Sequence, residues 1–244
     1  IGKDVLLAYG PPTDTGFFYD MYVPEGKKIS TDHFDAINKR MDEIIKEDRA
    51  FSRYEFAGLD GIKKLGKENN KYKVDNAIRA LDQMIKDGAP VVDRLIMDMR
   101  PGSSGPPYTA SIPKGASLSF YATGTPGTNW EDLCRGPHVP STGRIGAACV
   151  LSLASSYWHG IESDDPTHRL TRVYGTAFAT QADLDAYLRQ REEAAKRDHR
   201  VIGKALRLFH IDEDVGQGLI LWTPKGSIVR KELQTFIGAE LHKQ

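Results

Sequence analysis

The chain has 244 residues, and its 33 lysines and arginines are balanced by 33 aspartates and glutamates, so its formal net charge is zero. This balance argues against a polybasic protein whose whole surface grips nucleic-acid phosphates, but it is compatible with a local basic groove. No run approaches the roughly 18 consecutive apolar residues of a membrane span. Two cysteines, Cys134 and Cys149, are too few for a disulfide scaffold. We therefore expect a cytoplasmic protein without a membrane segment.

The first 99 residues alternate between strand and helix patterns. Apolar, β-prone runs at 5–9 and 17–23 flank a Gly-Pro loop, which predicts two strands. Ser30, Thr31 and Asp32 offer N-caps for a helix whose apolar residues recur every three or four positions from Phe34. The remaining elements predicted here are a strand at 51–56, an amphipathic helix at 74–87 and a strand at 91–99.

The second half predicts more strands, then helices. After a Pro-Gly-rich loop at 101–107, strands are predicted at 118–122, 147–153, 171–178 and 219–222. A helix at 181–208 would span roughly 42 Å, and it is apolar at both ends but polar in its middle, as in a strut between two bodies. A last amphipathic helix begins at Ser227. We expect a first domain at 1–180, a linker helix at 181–210 and the truncated start of another domain at 211–244.

The densest group of reactive side chains is at 130–138. Cys134 and His138 are four residues apart, which allows thiolate and imidazole to meet on one metal ion or around one reacting water. Asp132 could orient the histidine, and Arg135 suits a phosphate or a carbonyl oxygen. The plainer interpretation is a buried cysteine and a hydrogen-bonded histidine, because a lone Cys-x-x-x-His lacks the second ligand pair of a zinc site.

Other residues give no comparable signal. Cys149 lies in an apolar run and is expected in the core, whereas His33 and His159 are expected at the surface or in a loop. His168, His199, His210 and His242 lie in charged surroundings and are expected to be solvated. The sequence contains no phosphate-binding loop, nucleophile elbow or dinucleotide fingerprint.

The motif around Cys134 closely resembles one from a known family. Residues 132–143 read Asp-Leu-Cys-Arg-Gly-Pro-His-Val-Pro-Ser-Thr-Gly, similar to the second editing motif of bacterial threonyl-tRNA synthetases. Four further blocks resemble the same family in the same order and cover nearly the whole chain: 10–20, 172–178, the linker segments 196–200 and 208–210, and 222–226.

The resemblance implies an α+β fold: an editing-type domain with a mixed or antiparallel sheet and packed helices, then a long linker helix and a partial class II synthetase element. The full enzyme would be a homodimeric threonine–tRNA ligase that uses ATP and carries zinc in its catalytic domain. This segment would proofread by hydrolysing seryl-tRNA(Thr), which is needed because one methyl group gives weak discrimination. Cys134, His138, Asp132 and Arg135 would form the editing pocket, with a second histidine assisting. Any metal in that pocket would sit on Cys134 and His138.

Some features depart from the family pattern. The family's first editing motif, His-x-x-x-His, is absent, so we expect this chain alone to hydrolyse mischarged tRNA poorly and to lack ligase activity. Ile161 stands where the family often has Asp, and the stretch 59–125 is longer than in many relatives. Two alternatives remain open at this point: a freestanding hydrolase that edits mischarged tRNA in trans, and a non-catalytic module that binds tRNA or zinc.

Overall fold

The structure is a computed structural model that describes residues 4–97, 108–216 and 218–243. The predicted loop at 101–107 and the end of the strand predicted at 91–99 lie outside these residues. The chain divides into two compact units, residues 1–181 and 182–244.

Strands and helices alternate along the described residues. The strands are β1 (Leu6–Tyr9), β2 (Pro12–Thr13), β3 (Gly16–Tyr22), β4 (Phe51–Ala57), β5 (Val91–Met97), β6 (Tyr108–Pro113), β7 (Ser117–Thr123), β8 (Glu131–Leu133), β9 (Ala147–Tyr157), β10 (Arg169–Phe178), β11 (Phe209–Ile211) and β12 (Ile220–Trp222). The α-helices are α1 (Phe34–Lys46), α2 (Gly58–Lys67), α3 (Lys71–Lys86), α4 (Gln181–Lys196), α5 (His199–Ala205) and α6 (Pro224–Leu241). Short 3-10 turns lie at Thr31–His33, Thr142–Arg144, Trp158–Gly160 and Pro166–His168.

The larger sheet of the first unit has the strand order β1-β3-β10-β9, with β2 paired to β3, and every pairing is antiparallel. Helix α1 lies beside β9, where the Asn38 side chain accepts a hydrogen bond from the backbone N–H of Val150 at 2.9 Å. The Asn38 side chain therefore satisfies a backbone N–H group of the edge strand β9. Without this contact, that N–H could form a hydrogen bond with a further strand.

A second antiparallel sheet, β4-β7-β8, provides the main core together with helices α2 and α3. The ten buried members of this core cluster are Ile62, Leu65, Val74, Ala77, Leu81, Ala110, Ile112, Ala116, Leu118 and Phe120. All of them lie within the stretch 59–125. This stretch therefore supplies the larger of the two clusters of buried apolar residues in the part of the chain that the structure describes.

Helix α2 was not predicted from the sequence because it contains three glycines, which disfavour helices. Its packing explains one of them. A Cβ atom at Gly61 would lie 2.9 Å from Cδ1 and 3.0 Å from Cβ of Leu118, so the glycine lets this helix lie close to β7 without displacing that side chain. Helix α3 begins three residues before its predicted start, because the Asn70 side chain caps it by accepting from the backbone N–H groups of Tyr72 and Lys73.

The prediction of one continuous helix over 181–208 is wrong. The structure has two helices, α4 and α5, and the break lies at Asp198, whose backbone is extended at φ −60° and ψ 122°. The Asp198 side chain accepts from the backbone N–H of Arg200 at 2.8 Å and so starts α5 as its N-cap. Aspartate competes with the helix for backbone hydrogen bonds, and this local competition outweighs the helix propensity of the surrounding residues.

The second unit consists of most of α4, then α5, the β11-β12 hairpin and α6. Thr223 caps α6 by accepting from the backbone N–H of Gly226 at 3.2 Å, and Pro224 occupies the first turn. The apolar side chains of α6, from Ile228 to Leu241, are between 45% and 64% exposed.

The α+β fold class with antiparallel sheets and packed helices is confirmed. A separate prediction concerned membranes. Among the described residues, the structure has no helix whose length and apolar content would let it cross a bilayer.

Candidate functional site

The candidate site lies on the side of sheet β4-β7-β8 that faces away from the core. Side chains alternate between the two faces of a strand. On β7, Leu118, Phe120 and Ala122 are buried against the core. Ser119 and Tyr121 are half-buried and point to the opposite face.

Strand β8 continues this face at the edge of the sheet. Asp132 pairs with Tyr121, and the backbone N–H of Cys134 donates to the carbonyl oxygen of Ser119 at 3.0 Å. The Ser119 hydroxyl in turn donates to the Cys134 carbonyl oxygen at 2.7 Å, which fixes the chain just after the strand. Trp130, Asp132 and Cys134 follow one another at intervals of two residues, so their side chains share the face that carries Tyr121.

Cys134 and His138 meet across a turn. The Cys134 Sγ lies 3.1 Å from the His138 Nε2, within hydrogen-bond distance for sulfur. The backbone N–H of Gly136 also donates to this Sγ at 3.3 Å, so the sulfur accepts from a fixed backbone donor. Cys134 is half-buried, whereas His138 is exposed along one side. The turn thus presents a thiol and an imidazole together at an accessible surface.

Two aromatic rings cover His138. The Tyr121 ring stacks on the imidazole with centroids 4.1 Å apart and an interplanar angle of 21°, and the Phe51 ring lies 4.9 Å away. This partial burial lowers the pKa of His138 below its ordinary value, because desolvation disfavours the charged imidazolium. Near neutral pH His138 is therefore a neutral imidazole that can accept a proton.

The turn that carries His138 needs a glycine at position 136. Gly136 has φ 73°, in the left-handed region that side chains rarely adopt, and its peptide bond to Pro137 is cis. A Cβ atom at this position would lie 2.3 Å from the Tyr121 hydroxyl oxygen. The close approach of the turn to Tyr121 thus depends on this glycine.

After His138, the chain is held by the residues that join α1 to β4. The buried Thr142 hydroxyl donates to the Ile44 carbonyl oxygen at 2.7 Å and accepts from the Arg49 backbone N–H at 2.8 Å. The Asp48 carboxylate accepts from the Gly143 backbone N–H at 3.1 Å and from the Ser141 hydroxyl. These contacts anchor the segment that follows the imidazole.

Asp132 forms a cluster with Lys73 of α3 and Tyr19 of β3. The Lys73 Nζ donates to Asp132 Oδ2 at 2.6 Å and to the Tyr19 hydroxyl oxygen at 2.8 Å, and that hydroxyl donates to the same Oδ2. Burial, followed by the charge of Asp132, raises the pKa of Tyr19, so its phenol stays protonated. Lys73 is 5% exposed, which makes its ammonium a desolvated positive charge.

The sequence suggested that Asp132 could orient His138, and the structure differs. Among the described residues, the side-chain hydrogen bonds of Asp132 go to Lys73, to Tyr19 and to the backbone N–H of Leu133. Asp132 therefore fixes the position of Lys73. The partners of His138 are Cys134 and the two aromatic rings.

Arg135 is exposed, and its side chain makes no hydrogen bond or ion pair with any of the residues that the structure describes. It projects from the turn between Cys134 and His138. An unpaired guanidinium at this place is free to bind an anionic group such as a phosphate.

The other histidines and Cys149 lie elsewhere. His159 Nε2 is 2.7 Å from Asp75 Oδ2, and Asp75 is about 200° around α3 from Lys73, on a different face of the helix. Among the described residues, no hydrogen bond links His159 to Cys134 or His138. Cys149 is buried, as its apolar surroundings predict. His168 is half-buried and not solvated.

The described residues do not fit a metal ion at this site. Cys134 and His138 supply two donors, whereas zinc sites in proteins use three or four protein ligands. Within residues 4–97, 108–216 and 218–243, no group of three or more His, Cys, Asp or Glu side chains is placed to hold an ion.

Tyr19, Lys73 and Tyr121 belong to this site by their contacts, yet the sequence did not single them out as functional. Tyr121 could have been found from the alternation on β7, which places it opposite the segment of Asp132. Lys73 gives no local signal, because a lysine at the start of a helix is ordinarily solvated. Its role depends on how α3 meets β8.

The sequence comparisons agree with this geometry. Residues 118–174, which include β7, β8 and the turn with Cys134 and His138, match the family described as the threonyl and alanyl tRNA synthetase second additional domain. The matched segment of this chain is therefore similar to that domain family. The chain is also similar to threonine–tRNA ligases. It is 38% identical to the threonine–tRNA ligase of Sulfurihydrogenibium sp., over 95% of this chain and 30% of that relative. It is also 38% identical to the threonine–tRNA ligase of Aquifex aeolicus, over 98% of this chain and 31% of that relative.

A third relative, the threonine–tRNA ligase of Acidithiobacillus ferrooxidans, is 40% identical over 96% of the chain and 30% of the relative. These similarities confirm the resemblance to threonyl-tRNA synthetases. The chain spans about 30% of the length of the curated relatives that it matches. The second additional domain match lies entirely in the first unit, and it includes Asp132, Cys134 and His138.

Proposed function

We propose that this chain is the proofreading part of a threonine–tRNA ligase and hydrolyses the ester bond of seryl-tRNA(Thr). The observation that carries the proposal is the pairing of Cys134 Sγ with His138 Nε2 at 3.1 Å, on an accessible turn within the second additional domain. The similarity to threonine–tRNA ligases supplies the substrate class.

His138 acts as a general base in this proposal. Its lowered pKa keeps the imidazole neutral near pH 7, and a neutral imidazole can take a proton from a water that attacks the ester carbonyl. The stacked Tyr121 ring and the tilted Phe51 ring hold the plane of the imidazole. Cys134 positions the imidazole and the water through its Sγ, which the Gly136 N–H also fixes.

Lys73 stabilises negative charge on the carbonyl oxygen. An ammonium group has three N–H donors, and two of those on Lys73 are used by Asp132 and Tyr19. The third can bind the oxyanion that forms when water attacks. Because Lys73 is desolvated and held in place, its charge needs no reorganisation during the reaction.

Transfer RNA is the proposed partner, and Arg135 is proposed to bind one of its phosphates.

The full enzyme would attach threonine to tRNA(Thr) with ATP, would carry zinc in its catalytic domain and would form a homodimer in the cytoplasm. We assign 1–180 to the editing domain, 181–210 to the linker and 211–244 to the start of the catalytic domain. The exposed apolar side chains of α6 are consistent with an interface on that last segment.

The experiment compares hydrolysis of seryl-tRNA(Thr) by the chain and by three single variants under single-turnover conditions. Cys134→Ala and His138→Ala are expected to lose hydrolysis above the spontaneous rate. Cys149→Ala is the matched control, because Cys149 is buried in β9 and should leave the rate unchanged. Equal rates for the chain and both site variants would overturn the assignment. Binding of seryl-tRNA(Thr) without any hydrolysis by the parent chain would favour the non-catalytic tRNA-binding module.

A further inference from the structure

Trp130 stands out on the face that carries the proposed editing site. It is 51% exposed, and among the described residues its indole makes no hydrogen bond and no ring contact. Trp158 differs, since its Nε1 donates to Asp75 at 3.1 Å and its ring packs on Tyr72. Trp222 differs as well, because its ring packs on Phe209. The Trp130 indole therefore makes no contact of these kinds that would stabilise the fold.

The position of Trp130 relative to the site follows from strand geometry. The backbone N–H of Thr123 donates to the Trp130 carbonyl oxygen at 2.8 Å, so the pairing of β7 with β8 continues to Trp130. Trp130 is two residues before Asp132 and four before Cys134, on the same face. At 3.4 Å per residue, its Cα lies about 7 Å from that of Asp132 and about 14 Å from that of Cys134.

The charges on this face suit a polyanion. Asp132 is neutralised by Lys73, and Glu55 of β4 is paired with Arg53 at 2.5 Å. Arg135 is exposed and unpaired among the described residues. Among these side chains, the face therefore has one unpaired cation and no unpaired carboxylate. This charge pattern favours an anionic nucleic-acid strand over a cationic ligand.

We infer that Trp130 is a stacking platform for an unpaired base of the RNA strand whose aminoacylated end reaches Cys134 and His138. Proteins bind single-stranded RNA by stacking splayed bases on exposed aromatic rings while cations contact the backbone. The separation of about 14 Å between the Cα atoms of Trp130 and Cys134 places the stacked base about two nucleotides from the reacting end. This inference rests on the proposed function.

The test uses a labelled RNA hairpin with a short unpaired 3′ end and measures its affinity for the chain by fluorescence anisotropy. Trp130→Ala is expected to weaken binding by about 5- to 150-fold, the range for loss of one stacked base. Trp130→Phe keeps a ring and is expected to bind within a fewfold of the parent chain. Phe236→Ala is the matched control, since Phe236 is 63% exposed on α6, and it should leave the affinity unchanged.

A set of hairpins with one abasic position each then identifies the base. One abasic position is expected to weaken binding to the parent chain as much as Trp130→Ala does, and to have no further effect on that variant, because both changes remove the same contact. Unchanged affinity of Trp130→Ala would overturn the inference. Independent, additive losses at every abasic position would overturn it too.

The inference and the proposed function fail differently. If Trp130→Ala hydrolyses seryl-tRNA(Thr) with unchanged KM while His138→Ala loses hydrolysis, the function stands and the stacking platform is wrong. If the RNA binds with the Trp130 dependence but the parent chain hydrolyses nothing, the platform stands and the hydrolytic function is wrong. If the parent chain neither binds the RNA nor hydrolyses the ester, both are wrong. Thermal unfolding of Trp130→Ala, expected to match that of the parent chain, excludes misfolding as the cause of weaker binding.

Discussion

Tyr121 stacks on His138 with ring centroids 4.1 Å apart and an interplanar angle of 21°. This contact joins a strand of the core sheet to the turn that follows β8. It removes water from one face of the imidazole, and the lowered pKa of His138 is its electrostatic consequence. The aromatic ring thus determines both where the imidazole lies and its protonation state at neutral pH.

The pH dependence of hydrolysis should reflect this burial. The proposed base acts as the neutral imidazole, so kcat/KM is expected to hold as pH falls to the ordinary histidine value of about 6.5 and to decline only below it. Tyr121→Ala uncovers the ring and should move this acid limb upward toward the ordinary value. Tyr121→Phe keeps the ring and is the control, with an acid limb like that of the parent chain.

The measurement is a pH profile of single-turnover hydrolysis for the three proteins. A profile with the same acid limb in Tyr121→Ala and in the parent chain would show that another group titrates. The ¹H–¹⁵N chemical shifts of His138 in the same pH series identify the group independently of activity.

Gly136→Ala should destabilise the fold and impair hydrolysis. The substitution places a side chain at φ 73°, and the new Cβ would lie 2.3 Å from the Tyr121 hydroxyl oxygen. The backbone conformation costs about 1–2 kcal/mol, and the overlap adds about 1–3 kcal/mol in the free energy of unfolding. Urea unfolding measures the sum.

Gly127→Ala isolates the backbone part of this effect. Gly127 has a similar φ of 76°, but a Cβ atom added there would have no described neighbour within 4 Å. Its loss of stability is expected to be about 1 kcal/mol, with hydrolysis unchanged. Equal losses for the two variants would mean that the approach of Gly136 to Tyr121 does not constrain the turn.

Much of the architecture was predictable, because it depends on local patterns. The amphipathic helix from Phe34, the alternation on β7 and the apolar strands β9 and β10 follow from periodicity of the sequence. The predicted caps Ser30, Thr31 and Asp32 instead lie at the 3-10 turn before this helix. Helix α2 escaped prediction because its glycines serve a tertiary contact, the approach of Gly61 to Leu118. The break at Asp198 depends on one side chain that competes with the helix for a backbone donor.

The site was predictable only in part. The four-residue spacing predicted that Cys134 and His138 could meet, and the resemblance to the family motif predicted that they form an editing pocket. Lys73 is 59 residues from Asp132 in the chain, so its contact with the carboxylate required the fold. The stacking of Tyr121 on His138 depends in the same way on a turn whose path no periodicity describes.

Lys73→Met should destabilise the chain by about 3 kcal/mol, because the substitution leaves the half-buried Asp132 without its cation. Adding Asp132→Asn removes the stranded charge, and the double variant is expected to recover part of the lost stability. Urea unfolding of the two single variants and the double variant gives the coupling energy between the residues. Additive losses would contradict a direct interaction between the ammonium and the carboxylate.

The most direct test of the whole account is the rate at which this chain hydrolyses seryl-tRNA(Thr) and threonyl-tRNA(Thr), with His138→Ala measured alongside. The account predicts slow hydrolysis of the seryl ester that exceeds the His138→Ala rate by about 10²–10⁴-fold, the usual contribution of a positioned base. The threonyl ester is expected to remain near its spontaneous rate. Hydrolysis of both esters at the same rate, or a seryl rate that His138→Ala leaves unchanged, would contradict it.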